Sequence, residues 1–394
     1  MIYRQVLDFN PDHADANHLL GVLLSPAGNH AQAVELISRA IEMAPDRPAY
    51  YSNLGNVLKR MGRLEEAVAS YHKALALKPD YAEAHNNLGN ALKDQGKQKE
   101  AVASYRKALA LKPDYAEAHN NLGNALQKLG KLEEAVASYR KALAIKPDFA
   151  EAHNNLGNAL KELDKPGGAL TQHRRAISLD PQNDLFWANF ARSLETLSFT
   201  SLDDNLYQDL FHLLERPTVL PSHVIRPIIS ALRHHPDFSR ILGLTGSGKP
   251  EIDIAYGDVA GQLSSIPLFL RIMGLSPIHD LEIERMLTHL RRAMIQETMS
   301  GKTDEKDLPF SGALALQCFT NEYVFPETDE EKAAVENLQQ QIATLVEKAR
   351  DVPPFFVAAL GAYRPLYSFP WAQELSKREW ADSIKEVIER QILE

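Results

Sequence analysis

Small and apolar residues return along the first half of the chain at one fixed spacing. Prolines stand at 11, 45, 79, 113, 147 and 181, each 34 residues after the last. They frame five full units, 14–47, 48–81, 82–115, 116–149 and 150–183. With positions numbered from the start of each unit, glycine fills position eight (Gly21, Gly55, Gly89, Gly123, Gly157). Alanine fills position twenty (Ala33, Ala67, Ala101, Ala135, Ala169) and position twenty-seven (Ala40, Ala74, Ala108, Ala142, Ala176). Small residues at these places let two helices of one unit approach closely, and leucines such as Leu88 and Leu92, with Tyr105 at position twenty-four, fill what remains. Gly62, Gly96 and Gly130 lie just past the first helix, where a left-handed cap suits glycine. Each proline ends the second helix, because it lacks an amide proton and clashes with the preceding turn.

A helix-turn-helix unit of this period resembles the tetratricopeptide repeat, residue by residue over about half the chain. The third and fourth units differ at only seven positions, Tyr115 against Phe149 among them. Stability is then expected to accumulate from unit to unit rather than from one global core. Residues 1–13 read as the second helix of a unit that has lost its first, as in a fragment that starts in mid-array. The array decays after 183. Asp164 replaces the turn glycine, Pro166-Gly167-Gly168 opens a weakened helix, and a partial unit, 184–200, carries Trp187 and Phe190 in register.

From 201 to 394 the period is gone, yet helical patterns continue. Ser201 precedes an apolar stripe closed by Pro217, and Ser222 is placed as the cap of a helix ending at Pro236. Asp280 starts a helix with Leu281, Met286, Leu287, Leu290 and Met294 on one face. Residues 310–325 read as a buried central helix. Thr328 and Glu331 make a capping box, and 380–393 supplies a last amphipathic helix. With no alternating strand pattern anywhere, the fold class is all-α: a tetratricopeptide superhelix over 14–200, followed by a second all-helical adaptor domain at 201–394.

Composition narrows the function. A formal net charge of −9 argues against a general nucleic-acid binder. A single cysteine, Cys318, rules out an internal disulfide framework and suits a reducing cytoplasm. No apolar run approaches a membrane span, and the amino terminus lacks the pattern of a signal peptide. No cofactor is expected.

The resemblance implies that the first helices line a concave face, with positions six and nine pointing inward. Here those positions are mostly asparagine. Position six reads Asn53, Asn87, Asn121, Asn155 and Asn189, and position nine reads Asn56, Asn90, Asn124 and Asn158. An asparagine amide offers both donors and an acceptor, so a ladder of them pairs with both groups of a peptide backbone. The ladder is similar to that in the repeat arm of O-linked N-acetylglucosamine transferases, which implies grip on an extended peptide or protein segment. Solvated surface is the plainer reading of the same asparagines. Chaperone-tail clamps of the family carry lysines at positions two and five. This chain has Glu83, Glu117 and Glu151 at the first and Asn86, Asn120 and Asn154 at the second, so a peptide carboxylate finds no cation.

Candidate chemistry elsewhere is thin. His85, His119 and His153 recur at position four, but repeats stack about 8–10 Å or more apart, too far to share a metal; packing is the reading preferred. Residues 243–249 match a phosphate-binding loop up to Lys249, but Pro250 stands where that loop needs a hydroxyl. His234, His235 and His289 show no metal spacing. Cys318 reads as a buried inert thiol, and Glu322 as a carboxylate that needs a structural partner. Glu327–Glu331 and Arg291-Arg292 serve either an intramolecular contact or simple solvation, and solvation is the reading preferred, since exposed charge pairs contribute little, about 0–1 kcal/mol.

Phrases in the second half, LEIERMLTHLRRAM, ALALQCFTNEYVFPETDEE, YRPLYSFPWA and VIERQILE, resemble in order the helical region that joins repeats to the catalytic domain in bacterial repeat-containing methyltransferases. That resemblance implies the substrate-recruiting arm of a larger S-adenosylmethionine-dependent enzyme, with no catalytic residues in this stretch. Two alternatives stand beside it. Residues 201–394 would hold a small-ligand or catalytic site, signalled by a pocket containing Glu322 and His289. Or the open repeat end would drive self-association.

Overall fold

The computed structural model describes residues 2–245, 255–323 and 325–393, and among these every regular element is a helix. Most of the phosphate-loop-like stretch at 243–249 therefore lies outside the described residues. Two compact units divide the chain, Met1–Asn189 and Phe190–Glu394.

In the first unit α1 (Ile2–Phe9) leads into five helix pairs. These are α2 (Ala14–Leu24) with α3 (His30–Met43), α4 (Pro48–Arg60) with α5 (Leu64–Leu77), and α6 (Ala82–Asp94) with α7 (Gln98–Leu111). They continue with α8 (Ala116–Lys128) and α9 (Leu132–Ile145), then α10 (Ala150–Glu162) and α11 (Pro166–Leu179). The boundary between units falls within α12 (Asp184–Leu194). Each pair closes on its position-eight glycine. A Cβ added to Gly89 would lie 2.6 Å from the Tyr105 ring, and one on Gly55 2.7 Å from Tyr71. The turn glycines Gly62, Gly96 and Gly130 adopt φ of 75°, 78° and 71°. Asp164 takes the same left-handed conformation, with φ 56°, as its short polar side chain permits.

The position-four histidines pack as their spacing suggested, with one added role. The rings of His85, His119 and His153 each bond the carbonyl of the proline six residues earlier, Pro79, Pro113 and Pro147, at 3.0 Å. Asn17 does the same to Pro11, and Trp187 to Pro181, both at 2.9 Å. At five of the six repeat prolines a side chain thus satisfies the turn carbonyl, where an unmet acceptor would be costly; Tyr51, at the same position of the second unit, makes no such bond among the described residues.

The second unit contains α13 (Asp204–Leu213), α14 (Pro221–Leu232), α15 (Pro236–Thr245), α16 (Tyr256–Ser264) and α17 (Pro267–Leu275). It continues through α18 (Leu281–Ser300), α19 (Leu308–Thr320), α20 (Asp329–Glu347), α21 (Pro354–Gly361), α22 (Ala372–Leu375) and α23 (Asp382–Ile388). The capping box at Thr328 and Glu331 forms, and Asp280 caps α18. Asp203 caps α13, and one expected cap moves: Ser222 lies inside α14, which begins at Pro221. Proline at a first helical position loses only an amide that would be unpaired anyway. The central element is α19, whose neighbours are α16, α17, α21 and α23. Phe310 of α19 stacks on Phe269 of α17, which meets Phe238 edge-on at 4.8 Å. Phe310, Leu314 and Ala315 of α19 are fully buried, while a depression of about 230 Å³ borders Pro309, Ala313 and Leu316. Cys318 of the same helix is fully buried, and burial pushes its thiol up to about 12, so it is not poised as a nucleophile.

The expected solvation holds for Asp329 and Glu330, which are exposed, but is overturned for Arg291 and Glu331, with Arg292 and Glu327 half-buried and paired. Arg291 is fully buried and Glu331 is 3% exposed. Glu331 accepts from the Tyr363 hydroxyl at 2.6 Å, the Thr328 amide at 2.7 Å and Arg292 Nε at 3.1 Å. Arg291 donates to Pro326 O at 2.9 Å, pairs with Glu331 at 3.4 Å and lies 4.2 Å over the Tyr363 ring. Arg364 pairs with Glu327. Local sequence shows only a charged run; its burial comes from aromatic residues distant in the chain.

Asp307, at the start of α19, is 2% exposed, and its Oδ1 has no hydrogen-bond partner among the described residues. Burial raises its carboxyl to about 6; Lys306 opposes this, while Asp304, Glu297 and Asp258 add to it. The folded pKa lies above the ordinary 3.8, so the ionised form at pH 7 destabilises the fold, and this group's contribution improves as pH falls through 6 toward 4. Asp307→Asn is expected to stabilise the protein by about 1–3 kcal/mol at pH 7. Urea unfolding at pH 7 and pH 5 checks it: the gain shrinks at the lower pH, and an equal gain at both contradicts this account.

Candidate functional site

Positions six and nine lie on the first helix of each repeat, next to the glycine at eight. That glycine admits the tyrosine of position twenty-four, whose hydroxyl then reaches past it to the asparagine at nine. Tyr71 donates to Asn56 Oδ1 at 2.8 Å, Tyr105 to Asn90 Oδ1 at 2.7 Å and Tyr139 to Asn124 Oδ1 at 2.8 Å. Burial raises all three phenols well above their ordinary range, so they remain donors at any physiological pH. In the fifth unit His173 stands in the tyrosine's place, and Asn158 makes no hydrogen bond among the described residues.

Position six is held from the other side. Asn121 Nδ2 donates to Asn86 Oδ1, and Asn155 Nδ2 to Asn120 Oδ1, both at 3.1 Å. Asn189 donates to Asn154 Oδ1 at 2.7 Å, and Asn53 meets His18 Nε2 at 2.8 Å. Position five, considered in the sequence only as a place lacking clamp lysines, is therefore what orients the ladder. Asn86, Asn120 and Asn154 are only 4–6% exposed and bridge one repeat to the next. Their period of 34 was the available signal.

From the third unit on, the two rows are left with different free valences. Asn121 and Asn155 each give one amide proton to position five and keep Oδ1 unpaired, while Asn90 and Asn124 accept at Oδ1 from a tyrosine and keep both amide protons unpaired among the described residues. In the second unit the rows meet each other, Asn56 Nδ2 donating to Asn53 Oδ1 at 3.4 Å. Asn53, Asn87, Asn121 and Asn155 are half-buried, as are Asn56, Asn90, Asn124 and Asn158. Asn189 differs, at 4% exposure. A depression of about 650 Å³ opens beside Asn124 and Asn155, with Lys93, Gln98, Gln127, Lys128 and Glu162 on its walls.

The residues weighed for chemistry in the second unit do not converge. Glu322 is exposed in the turn after α19, with φ 52°, while His289 bonds its own helix at Arg285 O. Neither lines the unit's cavity of about 940 Å³, which is walled by Glu195, residues 222–233, Ser276, Pro277, His279 and Asp280. No three His, Cys, Asp or Glu side chains among the described residues gather as metal ligands. None of the described helices is long and apolar enough to cross a membrane.

Models of the tetratricopeptide repeat match residues 1–56, 55–96, 89–130, 128–164 and 150–183. No curated protein matches the chain. Among solved structures, YrrB, described as a tetratricopeptide protein with an unusual peptide-binding site, is 23% identical. It matches over 48% of this chain and 97% of its own, with a TM-score of 0.40. TTC0263, a thermophilic tetratricopeptide protein of Thermus thermophilus, is 23% identical over 46% of this chain and 98% of its own, with a TM-score of 0.39. Pseudomonas aeruginosa pilF is 22% identical over 51% and 90%, with a TM-score of 0.45. The tetratricopeptide-repeat models thus account for residues 1–183 of the chain.

Proposed function

We propose that the repeats bind an extended peptide or protein segment on their first-helix face. The contact is with the backbone: position-six Oδ1 atoms accept its N–H groups and position-nine amides donate to its carbonyls. The observation that carries this reading is the split of free valences between the two rows. An extended strand presents donors and acceptors in alternation, and a surface with both kinds fixed in register matches it with little regard for side chains. The concave placement of this face follows the resemblance to the repeat arm of O-linked N-acetylglucosamine transferases. Residues 201–394 then act as a helical adaptor, and the phrases shared with repeat-containing methyltransferases support a role in recruiting substrate for such an enzyme. In this reading the chain itself transfers no group.

The test is a peptide selected on the full chain and titrated by fluorescence anisotropy against wild type and an Asn87→Ala, Asn121→Ala, Asn155→Ala variant. Three lost hydrogen bonds at about 1 kcal/mol each predict a fall of roughly 100-fold. Unchanged affinity would sink the ladder as the site. The alternative, a ligand site within 201–394, then gains: the 940 Å³ cavity beside Arg226, Arg233 and His279 is its one concrete support.

A further inference from the structure

The opposite face of the repeats, formed by the second helices, carries its own repeated feature. Two grooves lie in equivalent positions at successive repeat junctions, of about 690 and 660 Å³. The first is walled by Leu75, Ala76, Pro79, His85 and Ser104, the second by Leu109, Ala110, Pro113, His119 and Ser138. Each of these wall residues in the first has its counterpart 34 positions on in the second. The apolar residues at position thirty, Leu77, Leu111 and Ile145, stay 46, 43 and 40% exposed, so a row of large aliphatic side chains faces solvent on this side.

Each groove also holds an unmet polar atom. A ring nitrogen facing a carbonyl must carry the proton, so Nε2 of His85 and His119 donates to the prolines. Nδ1 of each is then a bare acceptor, buried and without a partner among the described residues. Burial, with Lys107 beside His85 and Lys141 beside His119, favours the neutral ring. The fifth unit shows the same position occupied. There Gln172 replaces the serine at position twenty-three, and its Oε1 lies 2.8 Å from His153 Nδ1; because Nε2 of that ring faces Pro147 O and carries the proton, the amide satisfies Nδ1 when turned end for end, with its N–H2 toward the ring. The chain thus supplies its own amide occupant at one junction and leaves two junctions with a serine too short to reach.

Charge completes the picture. In a chain of net charge −9, the exposed Lys73, Lys107, Arg140 and Lys141 at positions twenty-five and twenty-six have no carboxylate within ion-pair distance among the described residues. Glu100 is the one acid on either groove's walls.

We propose that this second-helix face is a second docking surface, taking an acidic peptide segment of a partner protein whose aliphatic side chains enter the two grooves beside an asparagine or glutamine amide. The amide N–H2 donates to His85 or His119 Nδ1, the position that the Gln172 side chain fills in the fifth unit, the lysine stems moving aside to pair with the peptide's carboxylates. This surface is separate from the asparagine ladder.

The experiment pans a random-peptide display library on the full chain after depletion on a Ser104→Gln, Ser138→Gln variant. That variant installs the residue the fifth unit already accommodates, so folding is expected to hold, and circular dichroism verifies it. Recovered peptides are expected to be acidic and to pair an aliphatic residue with Asn or Gln. Their affinity should fall about tenfold or more in S104Q/S138Q and in the surface variant K107E/K141E. It should persist in N87A/N121A/N155A, which keeps this outcome distinct from failure of the ladder. Recovery of no wild-type-selective peptide, or of basic ones, overturns the proposal. Sedimentation showing a dimer that S104Q/S138Q dissolves also overturns it, in favour of a second copy of the chain.

Discussion

Replacing Glu331 by alanine is expected to destabilise the second unit by about 3–5 kcal/mol, the usual cost of stranding one member of a buried ion pair. Three losses coincide at this residue. Arg291, fully buried, keeps a guanidinium with no carboxylate beside it. The Tyr363 hydroxyl loses its acceptor at 2.6 Å, and the amide of Thr328 loses the carboxylate that closes the capping box of α20. Chemical unfolding of the full chain measures the effect. Glu331→Gln keeps the shape and the cap and should fall between wild type and alanine. Arg291→Met in the Glu331→Ala background should recover part of the loss, because an apolar chain of similar volume asks for no partner. If the double variant is as unstable as Glu331→Ala, the stranded charge is not the cause. The same cluster sets an acid limit. Burial pushes the Glu331 carboxyl up, but Tyr363, Thr328, Arg291 and Arg292 together hold it below its ordinary value. Its folded pKa is depressed, so its stabilisation is present above the ordinary carboxylate range and is lost as pH falls below it.

Gly123→Ala is the second large effect. The added Cβ would stand 2.5 Å from Tyr139 Cε1 and 2.7 Å from Cδ1, closer than any real contact. The ring cannot retreat cheaply, since it is fully buried and its hydroxyl is tied to Asn124 at 2.8 Å and Gln127 at 2.9 Å. Overpacking of this kind costs about 1–3 kcal/mol. In an array stabilised by neighbouring units, the loss should loosen the third and fifth repeats as well. Tyr139→Leu alone also destabilises, by removing ring contacts. Combined with Gly123→Ala it relieves the clash, so the double variant should lose less than the sum of the singles by about 1 kcal/mol or more. Guanidinium unfolding of the four proteins decides it, and additive losses would show that glycine is not there to admit the ring.

The repeats were legible because each helix is one-sided and its neighbours are near in sequence. Gly123 and Tyr139 announce their contact by a fixed offset that returns in every unit. The helices missed in the second half fail for the opposite reason. PLFLRIMGL of α17 and PFFVAALG of α21 are short and apolar on all sides, so no 3.6-residue period marks them. Burial of Arg291 depends on Phe325 and Tyr363, which no local window joins to it. In the ladder the asparagines could be named, but the division of their valences could not. It arises from the tyrosine hydroxyl on one row and the position-five amides on the other, both fixed by packing.

The central claim is that the ladder reads backbone rather than side chains, and one titration tests it most directly. A peptide selected on the full chain, sensitive to loss of Asn87, Asn121 and Asn155, is compared with two relatives: a shuffled sequence of the same composition, and the same sequence with alternate backbone amides N-methylated. Backbone recognition predicts that shuffling changes affinity only a few-fold while methylation costs about tenfold or more, since each blocked N–H leaves an Oδ1 unmet. If shuffling abolishes binding and methylation spares it, the asparagines do not hold the peptide backbone.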